Sequence, residues 1–243
     1  MSDESNATLV IVTYNIRLGI QQGLVSIAEA VVGTAEPDIL AVQEVGDHWL
    51  MGPDGDTTQR LSELFELPHT HFVPTLTESR SDGPPARYGH ALLSKWPITR
   101  SDVIDLPRSE DEPRRLLNTA VDHPSGGFEI LSTHLSHLDD ERAPQGRFLR
   151  QWLADHRWDS DARFVLGDLN ATDAEPWLAG LRGDWTDADD ARRRPTFPAH
   201  DPARRIDYVL AQGATPVSTV VPPAPDASDH RPVISRFRPD GDN

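Results

Sequence analysis

The chain has 243 residues, no cysteine and a formal net charge of −16. That length allows one large domain or two small ones, and the lack of thiols excludes disulfides and thiolate-held zinc. The acidity argues against a dedicated nucleic-acid binder, which carries a basic face, and against an anionic membrane surface.

In chain order, residues 8–14 read as a strand and residues 23–34 as a helix, with Leu24, Ile27, Ala28 and Val31 at helical spacing. A strand over 38–44 and a helix over 57–65 follow, then a strand over 88–94 stopped by Trp96 and Pro97. Strands 116–122 and 128–134 are joined by turn residues at 123–127 and read as a hairpin. Residues 140–156 are helical, with Phe148, Leu149, Trp152 and Leu153 inward; 163–169 is a strand and 174–181 a short helix. Residues 205–211 and 232–237 supply the last strands. Hairpins mixed with helical connections imply an α/β sandwich of two sheets with helices outside. No linker interrupts the apolar runs, so one domain is expected over 8–237, with frayed ends at 1–7 and 238–243. The proline-rich stretches 193–202 and 221–225 read as ordered loops at a rim. No signal-like or membrane-length apolar run occurs, so the expected location is cytoplasmic, with no membrane insertion. No sequence feature fixes an oligomeric state.

Several apolar runs end in a polar residue: Asn15, Gln43 with Glu44, His134, and Asp168 with Asn170. Buried strands delivering such side chains to one sheet rim would assemble a site. Glu44 is either a metal ligand or a salt-bridged structural acid, since it cannot stay charged in a core alone. Beside it, the carboxamide of Asn15 completes an oxygen donor pair suited to a hard ion such as Mg²⁺. Asp168 and Asn170 could hold and aim a water, or simply form a turn. His230 is the candidate for proton transfer or for donation to an oxyanion, oriented by Asp207. Adjacent Asp229 points the other way along an extended backbone and goes to the metal or its water shell. His134 is placed to donate to a phosphoryl oxygen, with His137 less clearly aimed. His123, His156 and His200 read as satisfied core histidines, and Trp49, Leu50 and Met51 as packing or, failing that, as a lid or substrate-contacting loop. Many arginines lie near the polar positions in sequence, and a few of them would line an anion site.

Taken in order, Thr13-Tyr14-Asn15-Ile16, Gln43-Glu44-Val45, the run Tyr88 to Ser94, Ser132-Thr133-His134-Leu135, Gly167-Asp168-Leu169-Asn170, Arg205-Ile206-Asp207-Tyr208 and Ser228-Asp229-His230-Arg231-Pro232 resemble the endonuclease/exonuclease/phosphatase superfamily over nearly the whole chain. The resemblance implies a four-layered α/β/β/α sandwich of two mainly antiparallel mixed sheets, of the deoxyribonuclease I-like type. It implies Mg²⁺- or Mn²⁺-dependent cleavage of a phosphoester by in-line attack of water. Residue by residue, Asn15, Glu44 and Asp229 match the metal end, and Asp168 and Asn170 the pair that positions the nucleophile. Asp207 and His230 match the Asp-His couple, and His134 the phosphate-contacting histidine. His90, Arg115 and Arg205 are the expected further phosphate contacts, although many members carry Asn where this chain has His90. Arg17 stands where the repair nucleases carry an acid. These departures, and the acidic surface, favour a small or lipid-derived phosphoester as substrate, with a DNA or RNA nuclease as the alternative.

Overall fold

The computed structural model describes residues 8–124 and 126–240. Its elements run β1 (Leu9–Asn15), α1 (Gly23–Val32), β2 (Ile39–Asp47), α2 (Thr57–Phe65), β3 (His69–Glu78), β4 (Ala86–Ser94), β5 (Ile98–Asp105), β6 (Arg115–Val121), β7 (Phe128–His134), α3 (Asp139–Asp155), β8 (Ala162–Asp168), α4 (Pro176–Asp184), β9 (Thr186–Asp187), β10 (Asp207–Gln212), β11 (Ala214–Val220) and β12 (Val233–Pro239). They form two six-stranded sheets, ordered β11-β12-β1-β2-β4-β3 and β5-β6-β7-β8-β10-β9. Each sheet has one parallel pair, β1 with β2 and β7 with β8, joined over its outer face by α1 and α3. Every other pairing is antiparallel.

The period-two alternation of the strands separates their side chains into apolar layers. Leu9 and Ile11 of β1, Ile39 and Ala41 of β2, Ile130 of β7, and Phe164 and Leu166 of β8 meet between the sheets. Val12 and Tyr14 turn outward with Leu40 and Val42, beneath Leu24, Ile27 and Val31 of α1 and Leu61 and Phe65 of α2. On the other flank Leu131, Val165 and Leu210 pack under Leu149 and Leu153 of α3 and Leu178 and Leu181 of α4. The result is a four-layered α/β/β/α sandwich. Asp56 caps α2, its side chain accepting the Gln59 N–H at 3.0 Å.

Four strands have no counterpart in the sequence reading: β3, β5, β9 and β11, and all four lie at sheet edges. The expected frayed C-terminus is also shorter than 238–243, because Arg238 and Pro239 pair with Thr215 and Ala214 of β11. Residues 1–7 and 241–243 lie outside the described residues. Among the described residues no helix is long and apolar enough to cross a membrane.

Candidate active site

The strand parity that builds the inter-sheet core also builds the site. On β1 the inward positions run Leu9, Ile11, Thr13, Asn15; on β2 they run Ile39, Ala41, Gln43; on β8 they run Phe164, Leu166, Asp168. Each row is apolar in the middle and polar at one end. Ile130, Ser132 and His134 on β7, Val209 and Asp207 on β10, and Leu92 and His90 on β4 follow the same rule. Both sheets therefore bring their polar ends to one rim, and these side chains are buried there.

Glu44 is out of phase with its row. A bulge between Gln43 and Val45 interrupts the pairing of β2 with β4, and Glu44 takes the left-handed conformation with φ 55°. The extra residue re-aims its carboxylate toward β1. Asn15 Nδ2 then donates to Glu44 Oε1 at 2.9 Å and to Asp168 Oδ2 at 3.0 Å, which ties the two sheets together. Asn170 has φ 50°, and its N–H donates to Asp168 Oδ1 at 2.9 Å. The segment is a turn, and the turn holds the acid still. Asn170 Nδ2 donates to the Leu135 carbonyl at 2.9 Å and stands 3.3 Å from His134 Nε2.

His230 Nδ1 donates to Asp207 at 3.0 Å, and its Nε2 lies 3.7 Å from Asp168 Oδ2, with His134 Nε2 3.5 Å from the same oxygen. Burial alone would lower the His230 pKa; the Asp207 and Asp168 carboxylates outweigh it and raise it to about 10. Asp168 is pushed up to about 7 by burial and by Asp207, against the pull of His230 and of the Asn15 and Asn170 hydrogen bonds. His134 is held well below its ordinary value, first by burial and then by Arg114. His230 is thus the more readily protonated partner of the two. Asp168, Asp207 and His230 bring potential ligand atoms within 4.8 Å of one another. The hydrogen bond of His230 Nδ1 to Asp207 and the ion-pair approach of Nε2 to Asp168 account for that closeness, and Nδ1 is left with no face for a metal.

The metal end has the right chemistry in a revised arrangement. Glu44 and Asp168 aim carboxylate oxygens at one point, an all-oxygen set that fits a hard divalent ion. The Asn15 carboxamide nitrogen sits at that point, while its oxygen accepts the Arg17 N–H at 3.1 Å. In this arrangement Asn15 orients the two acids, and it would have to turn over to offer its oxygen as a ligand. Asp229 is ion-paired with Arg17, its Oδ2 3.5 Å from Arg17 Nε.

Two expected phosphate contacts are displaced. Arg205 is buried and grips Asp187 through both terminal nitrogens, with Nη1 to Oδ2 at 2.9 Å, so its charge is already paired within the fold. Arg115 reaches away to Asp105 at 2.8 Å and to the Pro74 carbonyl at 2.5 Å. Its neighbour Arg114 faces the site instead. Arg114 is 5% exposed, and its charge depresses both His90 and His134. Arg114 Nε and His90 Nε2 are buried with no hydrogen-bond partner, and a guanidinium paired only loosely with Glu112 at 3.5 Å lacks a full anionic complement. Strand alternation does not single out Arg114: Arg115 shares the parity of Leu117 and Val121, which face the inter-sheet core, and Arg114 lies just before β6, outside the strand. Ser228, whose hydroxyl donates to the Asn15 carbonyl at 2.7 Å, also carried no sequence signal beyond its place in the motif.

Other expectations change as well. Leu50 and Met51 are 65% and 59% exposed, so they are not packing residues; Trp49 stands 5.6 Å from Tyr88 beside the Glu44 end. His200 is exposed, whereas His123 and His156 are partly buried against Trp96 and Trp152.

Two mixed sheets faced by helices, with carboxylates and imidazoles from both sheets meeting at one rim, define a deoxyribonuclease I-like hydrolase scaffold. The chain belongs to the Endonuclease/Exonuclease/phosphatase family, whose sequence profile matches residues 12–230. It is 25% identical over 217 residues to the Escherichia coli (strain K12) protein YbhP, covering 85% of each chain. An endonuclease/exonuclease/phosphatase from Beutenbergia cavernae DSM 12333 superposes with a TM-score of 0.80 at 25% identity, over 96% of this chain and 72% of that one. A mannosyl-6-phosphatase from Bacteroides thetaiotaomicron VPI-5482 shares the fold with a TM-score of 0.73 at 16% identity, covering 94% and 99% of the two chains. The family is hydrolytic on phosphoesters.

Proposed function

We propose that this protein hydrolyses a small-molecule or lipid-derived phosphoester, using a divalent ion (Mg²⁺ or Mn²⁺) and in-line attack of a water. The observation that carries the reading is the continuous chain of contacts from Asp207 through His230, Asp168 and Asn15 to Glu44, which draws on both sheets. Glu44, joined by the Asn15 carboxamide oxygen once that side chain turns over, would hold the ion, which would polarise a phosphoryl oxygen and neutralise charge developing on it. Asp168, oriented by Asn170, accepts the proton of the attacking water. His230, kept protonated by Asp207, donates to a phosphoryl oxygen as its charge grows, and His134 with Arg114 and His90 contacts the same group from the β7 side.

The distribution of arginines supports a small substrate over a nucleic acid. Arg87 pairs with Asp47, Arg115 with Asp105, Arg193 with Asp173 and Asp190, Arg194 with Asp189 and Arg205 with Asp187. A groove that neutralises backbone phosphates needs such side chains free and aligned. A panel of phosphomonoesters and phosphodiesters assayed with Mg²⁺ or Mn²⁺ tests the reading. Turnover should fall roughly a hundredfold or more in His230→Ala. Plasmid cleavage that weakens steeply with salt, with no turnover of small esters, would put the nuclease in its place.

A further inference from the structure

Two residues past Asn15 the backbone enters an unfavourable conformation. Arg17, Leu18 and Gly19 have φ of 47°, 56° and 65°, so two successive non-glycine residues sit in the left-handed region. Packing and hydrogen bonds hold them there. Leu18 is buried, its atoms closing over Gly46 and Gly52; the Arg17 N–H is held by Asn15 Oδ1 at 3.1 Å, and the Gly19 N–H by the Ile16 carbonyl at 2.8 Å. Strain kept in this way at a site rim usually serves a side chain's position. Here it sets the Arg17 guanidinium 3.5 Å from Asp229, while the Arg17 N–H holds the Oδ1 of Asn15, the residue that bridges Glu44 and Asp168. Asp229 is the acid next to His230, and Ser228 ties its loop to the Asn15 carbonyl.

We propose that Arg17 takes the place of a cation at Asp229, so that the site holds a single divalent ion, at Glu44 and Asn15, and Asp229 is not a ligand. The proposal rests on the metal reading above. A second divalent ion beside Asp229 would meet the fixed positive charge of an arginine that does not deprotonate. The Arg17 contact with Asp229 is through Nε, and the side chain is 45% exposed. This residue therefore balances charge at the ion's edge and positions Asp229, in addition to any contact with substrate.

Calorimetric titration of the full chain with Mn²⁺ alone tests this without reference to activity. The wild type, Arg17→Lys and Asp229→Asn should each bind one ion, with affinities within a few-fold of one another. Arg17→Met should bind a second ion or bind the first roughly tenfold tighter, because one nearby positive charge is gone. The double variant Arg17→Met/Asp229→Asn should return to wild-type behaviour. Arg17→Met titrating like the wild type would overturn the proposal, and so would loss of the ion in Asp229→Asn. Unchanged binding in Glu44→Gln would instead remove the Glu44 site itself. Thermal melts of the metal-free variants separate a folding defect from a binding one.

Discussion

Replacing Asp187 by Asn tests whether Arg205 is a structural or a substrate-binding residue. Asp187 is buried beneath two guanidinium groups: it accepts from Arg205 Nη1 at 2.9 Å and from Arg182 Nε at 2.7 Å, and also from the Asp189 N–H at 3.0 Å. Asp187→Asn keeps the volume and removes the charge, leaving Arg205 buried without a counter-ion. Removing one partner of such a pair costs about 3–5 kcal/mol. For a domain of this size that corresponds to a melting temperature lower by roughly 6–20 °C. The pH dependence has a definite sign. Burial pushes the Asp187 pKa up, the Arg205 and Arg182 interactions outweigh it, and the net shift is downward. Its stabilisation is therefore present above the ordinary carboxylate range, near pH 4, and is lost as pH falls through the lowered folded-state value. Urea unfolding at pH 7 and at several points below pH 4 measures both effects. Asp187→Asn should be less stable at pH 7 and should lose less on acidification than the wild type. A variant within about 0.5 kcal/mol of wild type at neutral pH would refute the buried pair and return Arg205 to the list of substrate contacts.

Asp207→Asn should lower turnover roughly a hundredfold or more with little change in KM, because His230 loses the group that keeps it protonated and aimed; equal turnover would dismiss the couple. Arg114→Met should reduce kcat/KM at least tenfold, while Arg115→Met stays within a few-fold of wild type, and the reverse order in steady-state kinetics would restore the sequence assignment. Gly167→Ala should fail to give a soluble folded protein or melt far below the wild type, since at φ 148° its Cβ would stand 2.0 Å from the Thr133 carbonyl oxygen. A near-native melt would show that β7 and β8 can move apart there.

The central strands were legible because each is buried on both faces and reads as an apolar run. Their polar terminal residues were legible for the same reason: Asn15, His134 and Asp168 stand out against what precedes them. The edge strands were not. β3 and β11 each contain a proline, Pro74 and Pro216, at a break in the pairing register, where the missing N–H costs the ladder least. β5 alternates exposed polar residues and carries no uninterrupted apolar stretch. Arg115 has the inward parity of β6, and no sequence pattern marks Arg114, just before the strand, as the arginine whose charge bears most on His134 and His90. At the bulge at Glu44 and the left-handed turn that begins at Arg17, the first residues to adopt positive φ are not glycines, so nothing in the sequence marks them. The pairing of Asp187 with Arg205 joins a two-residue strand to a loop end and has no local pattern at all.

The most direct test of the whole account is release of product from a phosphoester panel in the presence of Mn²⁺, with wild type and Glu44→Gln assayed side by side and again after EDTA. Wild-type turnover should require the ion, and the substitution should remove at least 99 parts in roughly 100 of it, the size expected for losing a group that acts on transition-state charge. Turnover that ignores the chelator, or that survives Glu44→Gln undiminished, would contradict it.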